Sequence, residues 1–381
     1  MPAPSPQPIK VLVVSDYRSF HTVRPEAEIF IGLAGMTPPG AFEVTVMTTA
    51  AAAYAPRFEA AGVRVIDFQP QSKFDPSESG RIREELVRGD YDVLQLYNGK
   101  AIVNGLRAAR GLPAKVVLYR GYTGHVHWYD PTAYLKYLHP RVDRVVCNSR
   151  GVAEMFRRQL GFAAHKAVVI RKGHRLAWYE DVAPLDLPTE LGLPPDAFVV
   201  SCTANNRPMK GVPDLLSAFA QLPADLAHVH LLLMGRDMDT PANRRLLAGT
   251  PAADRVHFLG FRPDALRIVA ASDVFALASI KGESITKSVI EAMALGVTPL
   301  ITSIPGNWEL VLPGRSGLVV PPHAPAAFAE ALTRLARDPA RCAEMGRAAR
   351  RRVETHLNHK TTVEQYAALY RELADERRGA A

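Results

Sequence analysis

One short stretch of the sequence constrains the fold more than any other. The apolar run 273–278 predicts a strand, and a turn of small residues that contains Glu283 leads from it into a helical pattern. That pattern begins near Thr286 and ends at Gly296, and the apolar run 297–301 predicts a second strand. Strand, helix and strand this close in sequence form a βαβ unit, and ligands bind at the carboxyl edge of such parallel sheets. We therefore expect Glu283 to lie at the mouth of a pocket.

The start of this helix favours an anionic ligand. The backbone amides of Ser284, Ile285 and Thr286, with the positive end of the helix dipole, suit a phosphate group. Glu291 lies one to two turns into the helix, and eight helical steps from Glu283 would span roughly 12 Å at about 1.5 Å per residue. Two carboxylates so far apart must serve different parts of a long ligand. A nucleotide sugar fits this pattern, because its sugar and its ribose flank a pyrophosphate.

Short apolar runs alternate with helical patterns along the chain. The predicted strands fall into two series, 9–15, 42–47, 63–68, 93–97, 116–119, 145–147 and 168–170, then 198–202, 231–234, 256–259, 274–277 and 297–301. Strands that alternate with helices predict doubly wound α/β sheets. A chain of 381 residues has the length of two domains. We predict Rossmann-like domains at 1–175 and 176–357, and a final helical segment at 358–381.

Two motifs resemble a known family. The spacing of Glu283 and Glu291, followed by Ala-Met-Ala-Leu-Gly, resembles the E-x7-E signature of retaining glycosyltransferases of the GT-B fold, family 4 type. The segment 201–212, which contains Arg207, Lys210 and Gly211, is similar to the family's strand, loop and Lys-Gly helix start. The C-terminal half matches the family element by element, whereas the N-terminal half matches only in its pattern.

The resemblance implies a fold and a set of roles. It implies two α/β domains that face each other across a cleft, with the last helix crossing back to the first domain. It assigns the donor pyrophosphate to Arg207, Lys210 and Gly211, the hydroxyls of the donor sugar to Glu283, and the ribose to Glu291. The reaction it implies transfers a hexosyl unit with retention, with departure of the leaving group and attack on the same face.

Two residues of the N-terminal half are candidates for contact with the donor sugar. The family commonly has a histidine at the end of a later strand of this domain. The corresponding strand here ends in Arg120, and His125 follows in a loop that Gly121 and Gly124 allow to bend. Either Arg120 or His125 would then take the place of that histidine.

The sequence does not indicate a bound metal or an additional cofactor. Residues 237–239 read Asp-Met-Asp, but a neighbouring lysine and helix amides make a metal redundant for binding pyrophosphate. The three cysteines lack the CxxC spacing of zinc sites. We expect a donor linked to UDP or GDP and a glycan or lipid-linked acceptor, as in bacterial-type synthesis of cell-surface polysaccharide, lipopolysaccharide or glycolipid.

The net charge and the hydropathy of the sequence limit the classes of binding partner that we expect. The formal net charge of +8 admits nucleic acid, an anionic membrane or phosphorylated small molecules. No nucleic-acid-binding motif is visible, and we interpret the basic run 347–352 as a solvated helix face. No apolar run reaches the roughly 20 residues of a membrane span, and the first residues lack the parts of a signal peptide. We therefore expect a cytoplasmic protein. The aromatic and basic segment 127–141 suits contact with an anionic membrane. It equally suits an arrangement in which Leu135 and Leu138 are core residues and the aromatic side chains line the acceptor cleft.

Two other functions fit the same pattern. A GT-B sugar-nucleotide epimerase would share the two sheets but would need acid and base groups, and it would release free epimers without an acceptor. A noncatalytic basic protein would bind nucleic acid or anionic lipid with strong dependence on salt, and UDP or GDP would not change its thermal stability.

Overall fold

The computed structural model describes residues 7–124 and 126–379, apart from the side chain of Thr22. The chain forms two compact units. Unit 1 consists of Met1–Gly173 and His359–Ala381, and unit 2 consists of His174–Asn358.

Within its described residues, unit 1 contains a parallel sheet of seven strands in the order β3-β2-β1-β4-β5-β6-β7. The strands are β1 (Ile9–Val14), β2 (Phe42–Thr48), β3 (Arg64–Asp67), β4 (Val93–Leu96), β5 (Lys115–Arg120), β6 (Arg144–Cys147) and β7 (Ala167–Val169). The helices are α1 (Phe20–Ala34), α2 (Ala55–Ala60), α3 (Pro76–Gly89), α4 (Gly99–Ala108), α5 (Pro131–Tyr134) and α6 (Arg150–Gln159). Both faces of the sheet are covered by apolar side chains, as expected for parallel strands.

Unit 2 contains a parallel sheet whose six described strands have the order β10-β9-β8-β11-β12-β13. The strands are β8 (Phe198–Thr203), β9 (Val229–Met234), β10 (Val256–Gly260), β11 (Val274–Leu277), β12 (Thr298–Thr302) and β13 (Leu318–Val320). The helices are α7 (Leu187–Leu191), α8 (Val212–Ala220), α9 (Pro241–Leu247), α10 (Ala265–Ala270), α11 (Lys287–Ala294), α12 (Pro325–Arg337) and α13 (Pro339–His356). The strand order reverses between β8 and β11, so the loops after these strands lie at the switch point where doubly wound sheets bind ligands.

The last helix, α14 (His359–Arg378), packs on the sheet of unit 1. Its buried face belongs to the core formed with β1 and α1, and the Tyr370 hydroxyl donates a hydrogen bond of 2.8 Å to Gln95 Oε1. Arg377 and Arg378 both form ion pairs with the buried carboxylate of Asp92, at 2.8 and 2.9 Å. Apolar burial and these ion pairs together join α14 to β1 and β4.

The prediction of two doubly wound α/β sheets is confirmed. Strand β13 was not among the predicted strands. No helix within 7–124 and 126–379 has both the length and the apolar character needed to cross a membrane.

Candidate functional site

The candidate site begins in the loop between β8 and α8 of unit 2. After β8 the chain forms a short 3₁₀ turn, Pro208–Lys210, and helix α8 starts directly beyond Gly211. Gly211 has a φ of +63°, in the left-handed region that glycine adopts without strain. This conformation reverses the chain and presents Lys210 at the carboxyl edge of the sheet.

A second loop, between β11 and α11, lies directly against the first. The amide of Ile280 donates a hydrogen bond of 2.8 Å to the carbonyl of Met209. A Cβ atom on Gly211 would lie only 2.0 Å from the carbonyl oxygen of Ala278, so the two backbones approach more closely than any side chain at position 211 permits. The glycine therefore brings the two loops together.

This approach joins Lys210 to Glu283. Their side chains form an ion pair and are largely buried, with exposed fractions of 18% and 10%. The other carboxylate oxygen of Glu283 accepts hydrogen bonds from the hydroxyls of Ser279 at 3.1 Å and Thr286 at 2.9 Å. The orientation of Glu283 is thus set by a cation and two hydroxyl groups from three separate positions in the chain.

Helix α11 begins next to this carboxylate. Thr286 is its N-cap residue, but the Thr286 hydroxyl bonds to Glu283 and, at 2.7 Å, to Asn307 Oδ1 rather than to the helix amides. The positive end of the helix therefore keeps its amides directed toward the space beside Glu283. Ser284 and Ile285 lie in the turn before the helix, with buried side chains, so they can offer a ligand only their backbone groups.

Glu291 lies within α11 and has its own cation. It forms an ion pair with Lys287, one turn earlier on the same face of the helix. The structure thus places the two glutamates of the E-x7-E spacing in separate ion pairs, Glu283 with Lys210 and Glu291 with Lys287. That the two carboxylates serve different parts of one ligand stays a prediction.

Arg207 differs from Lys210 in its surroundings. Its side chain is exposed, and its backbone forms hydrogen bonds with the backbones of Asn205 and Lys210 within the loop. Below the loop lies Cys202, where burial raises the pKa of the thiol to about 12, and Glu283 adds to this rise while Lys210 opposes it. The Cys202 thiol is therefore neutral at physiological pH and packs as an apolar side chain in the core of unit 2.

The interpretation of the basic run 347–352 as a solvated face is wrong for two of its arginines. Arg350 donates a hydrogen bond to the carbonyl of Ala294, at the last turn of α11. Arg352 donates to the carbonyls of Leu310 at 2.7 Å and Glu309 at 2.9 Å. Helix α13 therefore supports both α11 and the segment that carries Asn307. These two arginines differ from exposed ones only in their long-range contacts, which a local sequence pattern does not contain.

The Asp-Met-Asp sequence at 237–239 has a structural explanation. Both carboxylate oxygens of Asp239 bind the guanidinium of Arg244, at 2.6 and 2.8 Å, which lowers the pKa of this exposed aspartate. The intervening Met238 is buried. Among the described residues, no group of three or more His, Cys, Asp or Glu side chains is arranged to hold a metal ion.

In unit 1 the structure describes only one of the two candidate residues. Arg120 is the last residue of β5 and is fully buried. His125 lies outside the described residues. Helix α1 contributes a further charge, since Glu26 forms an ion pair of 2.6 Å with Lys172 and both side chains are largely buried. Burial alone would lower the pKa of Lys172, but the pairing with Glu26 outweighs it and raises this pKa.

The aromatic segment of unit 1 is exposed. Four large apolar side chains of this segment, which we term the aromatic patch, have exposed fractions between 46% and 65%: Trp128, Tyr129, Tyr134 and Leu135. The Tyr134 hydroxyl donates a hydrogen bond of 2.9 Å to the carbonyl of Trp128, which links two residues of the patch. Contiguous exposed apolar side chains of this size are typical of interaction sites.

Two family models match the chain, one in each half. The model described as "Glycosyl transferases group 1" matches residues 186–352 and so contains the whole site of unit 2. The model described as "Glycosyltransferase Family 4" matches residues 39–178.

Several proteins of known name are similar in sequence. A phosphatidyl-myo-inositol mannosyltransferase of Mycobacterium leprae is 29% identical over 270 residues, which cover 70% of each chain. An N-acetyl-alpha-D-glucosaminyl L-malate synthase of Bacillus anthracis is 29% identical over 51% of this chain and 50% of that protein. A D-inositol 3-phosphate glycosyltransferase of Streptomyces avermitilis is 32% identical over 56% and 48%. The chain thus spans about half the length of the last two relatives.

Solved structures resemble the chain over nearly its full length. A glycosyltransferase from Rickettsia africae ESF-5 has a TM-score of 0.78 at 17% identity, and the match covers 97% of this chain and 99% of that one. Anabaena Alr3699/HepE, solved in complex with UDP and glucose, has a TM-score of 0.75 at 21% identity, with coverage of 96% and 100%. At these identities the likeness establishes the fold.

Proposed function

Because the chain belongs to the family 4 type of group 1 glycosyltransferases and has the GT-B fold, we propose that it is a retaining hexosyltransferase. It moves a hexosyl unit from a nucleotide sugar to a glycan or lipid-linked glycan, in the synthesis of cell-surface polysaccharide or glycolipid. The observation that carries this proposal is the convergence of Lys210, Glu283 and the start of α11 in one site.

The site has the charges that a nucleotide sugar requires. A diphosphate next to Lys210 and the first amides of α11 would meet a cation and the positive end of a helix. Glu283 and Glu291 would accept hydrogen bonds from the sugar and ribose hydroxyls, respectively. Their present partners, Lys210 and Lys287, can then turn from the carboxylates to the phosphates, while the ligand hydroxyls replace them as hydrogen-bond donors to the carboxylates.

Lys210 has the main catalytic role in this proposal. As the glycosyl–phosphate bond breaks, negative charge grows on the departing diphosphate, and a fixed cation stabilises the transition state more than the ground state. The hydroxyl of the acceptor attacks the anomeric carbon on the face from which the diphosphate leaves, so that configuration is retained. Arg207, exposed on the same turn, adds a second cation when the donor is bound.

The proposed reaction does not depend on a divalent metal. Lys210 and the helix amides already supply the positive charge that a metal provides at other diphosphate sites. We expect activity to survive treatment with EDTA. Complete loss of activity that manganese restores would contradict this part of the proposal.

Nucleotide-induced stabilisation tests the donor site. A screen of UDP, GDP and their sugars should raise the melting temperature with one base, because ligand that binds only the folded state stabilises it. Glu291→Ala should lose this shift, whereas Glu330→Ala, an exposed glutamate on α12, should keep it. An unchanged shift in Glu291→Ala would mean that the ribose lies elsewhere.

We also propose that the protein works in the cytoplasm, at the inner face of a membrane that carries its acceptor. The aromatic patch and the net charge of +8 suit an interface with anionic lipid. The name of the mycobacterial relative indicates a lipid acceptor for that protein.

Sedimentation with vesicles of anionic lipid at low salt tests this attachment. More of the wild type than of Trp128→Ser should sediment with the vesicles. Phe74→Ser, equally exposed elsewhere in unit 1, is the control, and no sedimentation of the wild type would refute the proposal.

A further inference from the structure

Arg120 is the largest fully buried side chain of the described protein. It ends β5, at the carboxyl edge of the sheet of unit 1, and it is paired in register with Cys147 at the end of β6. Ligands of parallel α/β sheets bind at this edge. A buried arginine is therefore found where a binding residue is expected, not in the middle of the core.

The contacts of Arg120 leave part of its guanidinium without hydrogen bonds. One nitrogen, Nη2, donates a bond of 2.6 Å to the carbonyl of Gly124. The rings of Tyr122 and Tyr137 lie 4.6 and 4.7 Å from the guanidinium carbon, in cation–π geometry. The other two nitrogens, Nε and Nη1, are buried and have no hydrogen-bond partner among the described residues.

No negative charge of the described protein balances this cation. The ion pairs formed within 7–124 and 126–379 do not include Arg120, and two of its titratable neighbours, Tyr137 and Cys147, are neutral. Burial raises the pKa of Tyr137 to about 12, although the guanidinium opposes this, and burial likewise raises the pKa of Cys147 to about 12. Taking an ion out of water without a partner is costly, and buried charges are normally paired.

We propose that Arg120 binds an anionic group, a carboxylate or a phosphate, carried by one of the two substrates. An arginine offers two parallel N–H groups to such a group, and a charge-assisted pair of this kind is stronger than a neutral hydrogen bond. The start of helix α6 adds positive potential at the same edge, three residues beyond Cys147. Binding would then satisfy Nε and Nη1 and balance the charge.

Tyr122 separates Arg120 from solvent. Half of this side chain is exposed, and its ring centroid lies 4.6 Å from the guanidinium carbon. Tyr122 is thus the half-exposed neighbour whose displacement would bring solvent, or an anion, closer to the guanidinium. Tyr137, which is buried, would remain as the apolar wall on the other side.

The inference rests on the proposed function, because it assigns the anion to a donor or an acceptor of a glycosyltransferase. If the anion belongs to the donor, the transferred sugar is a hexuronic acid. If the anion belongs to the acceptor, the acceptor carries a phosphate or a carboxylate. The chemistry at Arg120 is the same, so separate probes must distinguish the two sources.

The test uses the arginine side-chain N–H resonances of the full-length protein. The Nε–H signal of Arg120 is identified by its absence from Arg120→Lys, and it is followed during titration with D-glucuronate against D-glucose, and with myo-inositol 1-phosphate against myo-inositol. One charged compound should shift this signal and bind about tenfold more tightly than its neutral counterpart. A shift with glucuronate indicates an acidic donor sugar, and a shift with the inositol phosphate an anionic acceptor. If neither charged compound moves the signal, the proposal is wrong.

Variants separate this inference from the proposed function. Arg120→Met should lose the preference for the charged compound, measured as ligand-induced thermal stabilisation, and should retain the stabilisation by UDP or GDP. Arg158→Met, which removes an arginine of α6 whose side chain is 79% exposed, should retain both. A purely structural arginine would leave the preference unchanged in Arg120→Met. If that variant fails to fold, the wild-type titration still decides, while a failure of UDP and GDP to stabilise the wild type would refute only the donor site.

Discussion

Replacement of Gly211 by alanine tests how the site is built. Gly211 and Gly192 both lie in unit 2 with nearly the same left-handed conformation, at φ values of +63° and +67°. They differ in what a new Cβ atom would meet. At position 192 no heavy atom lies within 4 Å, whereas at 211 the carbonyl oxygen of Ala278 lies at 2.0 Å. Gly192→Ala is therefore a matched control that isolates the conformational cost.

The expected free energies follow from these two terms. A residue other than glycine in the left-handed region costs about 1–2 kcal/mol, and both variants bear this cost. The overlap with the carbonyl of Ala278 forces the backbone of one loop to move, and such overpacking adds about 1–3 kcal/mol in Gly211→Ala alone. For a unit of this size the difference between the variants corresponds to a melting temperature lower by about 2–12 °C.

In Gly211→Ala the loss of nucleotide binding should be larger than the loss of stability. The clash separates the loop of Lys210 from the loop of Glu283, and in the proposed function both loops contact the donor. Calorimetric melts of the two variants, with and without UDP and GDP, measure both effects. Gly192→Ala should retain the nucleotide-induced shift and Gly211→Ala should lose it. Equal stability losses, with the shift retained in both, would show that the close approach of the loops has no role in binding.

Further predictions concern single side chains. Lys210→Met should lower the transfer rate about 10²- to 10³-fold, as does the loss of one donor to a developing anion, while Lys281→Met, at an exposed lysine, should not. Arg352→Met should lower the free energy of unfolding by about 1–3 kcal/mol and weaken nucleotide binding, because it leaves the carbonyls of Glu309 and Leu310 without their donor; the exposed Arg351→Met should do neither. Burial lowers the pKa of His257 below 6.5, so the contribution of the neutral imidazole to the free energy of unfolding should be fully present above pH 6.5 and should be lost as the pH falls below it. In urea melts, the free energy of unfolding of His257→Gln should therefore depend less on pH than that of the wild type.

The sequence contained enough information for most of the fold. The predicted strands lie close to those observed because buried parallel strands leave continuous apolar runs, as in β1 and β8. The helix with Glu291 was recognisable from its periodicity and its end at Gly296. Both features are local, since they depend on neighbours in sequence.

The features that could not be predicted depend on contacts between distant parts of the chain. Arg350 and Arg351 are adjacent in sequence, yet only Arg350 reaches the last turn of α11. The pairing of Lys210 with Glu283 spans two loops and depends on a glycine that no pattern marks as a point of close approach. The ion pair of Lys287 with Glu291 could have been predicted from the sequence, because a lysine four residues before a glutamate on a helix is a recognisable pair.

The close approach also explains why the site lies in two loops rather than in one. Each loop follows a strand adjacent to the switch point, so each contributes one charge, Lys210 from the first and Glu283 from the second. A diphosphate bound there would contact both loops at once. Ligand binding and the packing of the two loops should therefore be coupled.

The most direct test of the central claim is a crystal structure of the protein with bound UDP or GDP. The diphosphate should lie within about 3 Å of Lys210 Nζ and of the first backbone amides of α11, with the ribose hydroxyls on Glu291. A diphosphate bound away from Lys210, with the pairs Lys210–Glu283 and Lys287–Glu291 undisturbed, would contradict the claim.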